Sequence, residues 1–123
     1  MVKVEIITIG NEVITGYIVD TNAAFLADTV FSLGAKVTRV VSVGDELEAI
    51  AAALREAMTR ADLIVVSVGL GSTPDDRTPE AAALVLGREL VVYQGYLDTL
   101  KEKFRRWNLE FTRSDEKLVR MPK

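Results

Sequence analysis

Neither cysteine nor histidine occurs among the 123 residues. Without cysteine there is no disulfide framework, no thiolate nucleophile and no Cys-rich metal site, and nothing points to an oxidising compartment. Without histidine, Ser-His-Asp and Cys-His catalysis are excluded, and with both missing the usual zinc ligands are gone. Carboxylates, hydroxyls, lysine, tyrosine and backbone amides remain, so any metal is expected to be a hard, oxygen-bound cation. No export signal is expected either, because Met1-Val2-Lys3-Val4-Glu5 runs straight into a strand-like segment with no apolar stretch and cleavage site. The apolar runs are too short to cross a bilayer, and a net charge of −3 gives no bulk attraction to nucleic acid or membrane. A cytoplasmic protein without nucleic-acid or membrane partners is expected. Charge is unevenly spread: residues 101–123 hold 8 of the 15 basic side chains and only 4 of the 18 acidic ones. A solvated basic helix is the favoured reading of that segment, and a charged flap over a phosphate the sharper alternative.

A hydrophobic content of 49% over this length suits one globular domain, residues 1–123. No repeat or low-complexity tract interrupts it. Val2 to Ile9 is apolar and rich in β-branched residues, as in a strand covered on both faces, and Gly10 ends it. Thr21 or Asn22 is a good helix cap, and Ala23, Leu26, Ala27, Val30 and Leu33 then recur at helical spacing up to a stop at Gly34. Lys36 to Val43 reads as a second strand. Asp45 with Glu48 resembles a capping box for a helix striped by Leu47, Ile50, Ala51, Leu54 and Met58. Leu63 to Ser67 is a third strand, and Thr78-Pro79-Glu80 starts a helix that stops at Gly87. A short strand near Leu90 to Tyr93 and a helix presenting Tyr96, Leu97, Leu100, Phe104 and Trp107 come next. Alternating strands and helices predict an α/β fold, a mostly parallel sheet sandwiched between helices in three layers. Such sheets bind ligands beyond their strand C-termini, where the loops 10–22, 44–45 and 69–77 fall.

Those loops hold most of the unusual residues. Gly69-Leu70-Gly71 precedes the hydroxyl pair Ser72-Thr73 and the adjacent carboxylates Asp75 and Asp76. Glycines let backbone amides approach an anion, and the following helix start adds partial positive charge, which suits a phosphate. Two carboxylates beside a phosphate would repel it unless a cation lay between, so Mg²⁺ or a similar divalent ion is expected. Neither the third glycine of the dinucleotide fingerprint nor the Gly-Lys-Ser/Thr of a P-loop is present, and a structural turn competes evenly with a ligand loop. Asp45 reads as a helix cap or as a ligand carboxylate at the same edge. In the first loop Gly10, Asn11, Glu12, Asp20 and Asn22 are candidate ligand contacts. Capping accounts equally for Asn22, and solvation for Glu12 and Asp20. The aromatics of the last helix read as packing or as a subunit interface, and Lys101, Lys103, Arg105 and Arg106 between them as a solvated face.

The segments Ile6-Ile7-Thr8-Ile9-Gly10-Asn11-Glu12, Val19-Asp20-Thr21-Asn22-Ala23-Ala24-Phe25-Leu26, Val43-Gly44-Asp45-Glu46 and Gly69-Leu70-Gly71-Ser72-Thr73-Pro74-Asp75-Asp76-Arg77-Thr78 together resemble the molybdopterin-binding (MoaB/Mog-type) domain family, in its competence-damage-inducible (CinA) branch. Order and spacing match over about the first 90 residues. The resemblance implies a three-layer α/β domain that forms trimers or dimers and binds molybdopterin or a related nucleotide. At the positions of Asp45 and Asp76 it implies acidic residues that serve metal-dependent chemistry of molybdenum-cofactor assembly. In the competence branch it implies hydrolysis of the ADP-ribose pyrophosphate bond. On this reading Asp45 and Asp76 are catalytic, Asp45, Asp75 and Asp76 hold the cation, and Gly69, Gly71, Ser72 and Thr73 cradle phosphate. Two departures stand out. Val68 and Ser72 replace the family's glycine and proline around the loop. The family domain also continues into a further strand and glycine-rich loop, so the chain is expected to lack the C-terminal part. They motivate the rival reading, a non-catalytic homo-oligomeric interaction or regulatory module with the same fold.

Overall fold

The computed structural model describes residues 1–16, 20–68 and 77–123, the side chains of Glu12, Val13, Ser114, Lys117 and Leu118 excepted. The chain divides into two compact units, Met1–Gly69 and Leu70–Lys123.

In the first unit β1 (Lys3–Ile9) lies between β2 (Lys36–Val43) and β3 (Leu63–Ser67), parallel to both. Its unbroken apolar run has the expected consequence: Val4, Ile6, Ile7 and Ile9 are all buried, so both faces of the strand are covered. Helix α2 (Thr21–Ser32) covers one face, with Val30 against Val4 and Ile6 and with Leu26, Ala27, Val37 and Val65 around them. By the two-residue alternation of a strand, Glu5, Ile7 and Ile9 face the other way. There α3 (Leu47–Met58), which contacts β1 and β2, buries Ile50, Ala51, Leu54 and Ala57. Helix, parallel sheet and helix are therefore stacked as three layers within this unit. Burying Ile6 and Ile7 alone stabilises it by roughly 2 kcal/mol each.

The helix stop at Gly34 is a Schellman turn: Gly34, at φ +84°, donates to Phe31 O at 3.1 Å and Ala35 donates to Val30 O at 3.2 Å. The starts differ from expectation. Asp20, not Thr21 or Asn22, caps α2, its Oδ1 accepting from Ala23 N at 3.0 Å. Asp45 does not cap α3. Glu46 is the N-cap, in extended conformation and without a side-chain cap bond, while the Asp45 backbone N–H donates to Asn11 Oδ1. A short helix, α1 (Asn11–Ile14), occupies part of what reads in sequence as a loop.

At the other end of β1, Glu5 is fully buried and carries charge in the core. Its Oε1 accepts from Arg60 Nε at 3.0 Å and Nη2 at 2.8 Å, and Arg39 Nε stands at 3.4 Å. A register shift after Val4 skips Thr38 and sets Arg39 opposite Glu5, while Thr38 Oγ1 bonds Val4 O at 3.4 Å.

The second unit contains α4 (Thr78–Leu86), with proline in its first turn and Gly87 at φ +63° as its stop. Next come β4 (Leu90–Val92), α5 (Gln94–Arg106), a 3-10 helix (Arg113–Val119) and β5 (Arg120–Pro122). β4 and β5 pair antiparallel, Val91 opposite Met121. On α5 Leu97 is buried and Phe104 half-buried against Phe111, at 5.3 Å between ring centroids, whereas Tyr96 and Trp107 are exposed. The basic residues of α5 are exposed as expected, and hydrogen bonding from Arg105 holds the Glu102 carboxyl below its ordinary range. Among the described residues no helix is long and apolar enough to cross a membrane.

Removing one partner from a buried ion pair strands the other. Arg60→Ala should therefore destabilise the protein by about 3 kcal/mol in urea unfolding, with Glu5→Leu/Arg60→Leu recovering most of the loss.

Candidate ligand site at the C-terminal edge of the sheet

The three parallel strands end at the same level. Thr8 of β1 is in register with Ser42 of β2 and with Ser67 of β3, which places a row of three hydroxyls across the sheet. Thr8 and Ser42 share a hydrogen bond of 2.8 Å, and Asn22, in the first turn of α2, donates to Ser67 Oγ at 3.3 Å. The same step recurs in sequence, as Thr8-Ile9-Gly10, Ser42-Val43-Gly44 and Ser67-Val68-Gly69. Each hydroxyl thus stands two residues before a glycine. The three hydroxyls are the site-level feature that loop-by-loop reading misses; comparing the strand ends with one another finds it.

Gly10 extends the ladder by donating to Val43 O at 2.9 Å. Asn11 comes next, at the start of α1, its carbonyl accepting from Thr15 N at 3.0 Å and Thr15 Oγ1 at 2.9 Å. Its side chain crosses to the second loop, where Oδ1 accepts from Asp45 N at 3.2 Å. Gly44 makes that approach feasible: a Cβ there would lie 2.6 Å from Asn11 Oδ1 and 3.3 Å from Ile14 Cδ1. Asp45 is half-buried, and among the described residues no donor reaches its carboxylate.

The expected site residues thus separate into groups. Asn11 and Asp45 are brought together, with Gly10 beside them. Asp20 is occupied in capping α2 and Asn22 in bonding Ser67, which gives each a structural role. Glu12 lies in α1, its side chain outside the described residues, as are Gly69, Gly71, Ser72, Thr73, Asp75 and Asp76. Among the described residues no three acidic side chains form a metal-ligating group.

A parallel sheet covered by helices belongs to the open-sheet α/β class, in which ligands sit at the edge where Asp45 lies. Residues 5–122 match the family described as Probable molybdopterin binding domain. A CinA-like protein of Anaeromyxobacter sp. (strain Fw109-5) is 44% identical over 98% of this chain, and the chain spans 29% of that relative's length. The crystal structure of the protein CinA from Thermoplasma acidophilum, described as of unknown function, superposes with a TM-score of 0.86. It is 35% identical and matches 98% of this chain and 70% of its own. The molybdopterin biosynthesis enzyme MoaB of Thermus thermophilus has a TM-score of 0.67 at 33% identity, over 75% of this chain and 58% of its own. This chain belongs to the molybdopterin-binding domain family, in its CinA-like branch, and has the α/β fold of MoaB and Mog.

Gly44→Ala should expel Asn11 Oδ1 from the Asp45 amide and cost about 1 kcal/mol. Faster hydrogen exchange at Asp45 N–H is the expected sign, and unchanged exchange would show that the two loops are held by something else.

Proposed function

We propose that this domain binds a pterin- or ADP-ribose-like phosphorylated nucleotide at the C-terminal edge of its sheet, through a divalent cation, and hydrolyses a phosphoanhydride bond there. The observation that carries this reading is Asp45: a half-buried carboxylate at the ligand edge that neither caps its helix nor meets a donor among the described residues. A carboxylate left so is suited to a hard cation, which takes oxygen ligands and fills its shell with water and phosphate oxygens. Mg²⁺ fits this donor chemistry, with Asp75 and Asp76 as the other protein ligands. The amides and hydroxyls of Gly69, Gly71, Ser72 and Thr73 would cradle the phosphates, and Gly10 would line the same edge. When bound, the cation would neutralise phosphate charge and polarise the attacked phosphorus. Attack by water on ADP-ribose would break the phosphoanhydride bond and give AMP and ribose 5-phosphate, with release of two protons once both monoesters are fully ionised. The resemblance to the molybdopterin biosynthesis enzyme MoaB supports the phosphorylated ligand class. We place this activity in the cytoplasm, in keeping with the cysteine-free sequence.

The test is AMP formation from ADP-ribose with Mg²⁺ by the parent, Asp45→Asn and Asp76→Asn proteins. The parent should turn over, and each variant should lose on the order of 10²-fold in rate. Equal rates in all three would remove both aspartates from the chemistry. Saturable nucleotide binding without AMP would favour the rival reading, a binding or regulatory module, which Val68 in place of a loop glycine motivates.

We also read the domain as a trimer or dimer. Phe25, Phe31 and Leu33 at α2 are 69, 80 and 80% exposed, apolar area that association would cover. Light scattering should give a mass two or three times that of the chain, and a monomer at micromolar concentration would end this reading.

A further inference from the structure

We propose that Asn11 is a positioning residue for Asp45, a clamp between the first and second loops that sets where the Asp45 carboxylate points. This rests on the reading of Asp45 as a cation-holding group. β1 and β2 leave the sheet together, Ile9 opposite Val43, and Gly10 N–H closes the ladder on Val43 O. Beyond that bond the second loop has no strand pairing, and Gly44 gives it more conformational freedom than any other residue would. The Asp45 carboxylate receives no donor among the described residues, so what places it at this edge is the backbone that carries it. Asn11 Oδ1 holds that backbone at 3.2 Å.

Three features make the contact specific. A backbone N–H only donates, so the bond fixes the Asn11 amide with Oδ1 towards Asp45 and Nδ2 away. The Asn11 backbone is itself held by the two bonds from Thr15, so the side chain leaves from a fixed base. Oδ1 also lies only 2.6 Å from where a Cβ on residue 44 would be, so any other residue there would force the Asn11 side chain to shift. Asn11 and Gly44 therefore act as one device, its bond spanning 34 residues of chain, and Asp45 is what that device holds. Asp45 lies one residue before the Glu46 N-cap of α3, with its N–H tied to Asn11 and its side chain not spent on a cap.

The experiment uses Mn²⁺ alone as probe, with free ion measured by electron paramagnetic resonance, on the parent, Asn11→Ala, Asn11→Asp and Asp45→Asn proteins. Amide exchange at Asp45 and Gly10 is measured in parallel with and without Mg²⁺. Asn11→Ala should weaken Mn²⁺ binding about fivefold, within the range of one lost hydrogen bond. It should speed exchange at the Asp45 amide and not at Gly10. Asn11→Asp keeps an acceptor oxygen and should restore both binding and Asp45 protection. Adding Mg²⁺ to the parent should leave the Asp45 amide protected. Parent-like Mn²⁺ affinity in Asn11→Ala would overturn the proposal, as would an Asn11→Asp protein as weak as Asn11→Ala. So would release of the Asp45 amide by Mg²⁺, which would make Asn11 Oδ1 a direct metal ligand. Unaltered Mn²⁺ binding in Asp45→Asn, or no binding by the parent, would defeat the reading of Asp45 itself and the clamp with it.

Discussion

Everything in the first unit is registered on β1. It is the central strand, hydrogen-bonded on both edges and buried on both faces, so its seven residues dictate the spacing of two strands and the seating of two helices. Val4 and Ile6 look towards α2, and Ile7 and Ile9 towards α3. A slip of one residue would exchange these two faces and drive Glu5 into the apolar contact with Val30. The buried Glu5 and its arginines stand guard against that slip, because only one register lets Arg60 and Arg39 reach the carboxylate. The register shift at Thr38 belongs to the same constraint.

Much of the fold is visible in sequence because its signals are local. The β-branched run to Ile9, the apolar stripe of α3 and the stops at Gly34 and Gly87 each depend on a handful of neighbouring residues. The starts of α2 and α3 are harder to read for a physical reason. Several adjacent residues could cap either helix, and Asn22 and Asp45, which are passed over, bond to distant residues instead. Asp20 is selected as the α2 cap over Thr21 and Asn22, and Asn22 is left to meet Ser67 on a strand 45 positions away. Asp45 stands one residue outside the N-cap of α3 with its N–H bonded to Asn11, which no window around Asp45 contains. The antiparallel β4–β5 pair is likewise non-local, joining two three-residue strands across α5 and the 3-10 helix.

The site divides in the same way. The presence of Asp45 and Asn11 at one edge is a consequence of topology, since loops after parallel strands must gather there. Their roles are not. In sequence Asn11 is one polar loop residue among several and Asp45 a good helix cap; in the structure one holds the other. Asp20 and Asn22, candidate ligand contacts in sequence, each have a structural partner as well.

The two ends of β1 are built from opposed materials. At its start sits a charge locked in by multiple bonds, and at its finish sit small hydroxyls and glycines that occupy little space and impose little on the chain after them. A sheet arranged so can be redecorated at one rim while its alignment is policed at the other. Substitutions in the loops beyond Thr8, Ser42 and Ser67 then leave untouched the residues that decide how the strands lie.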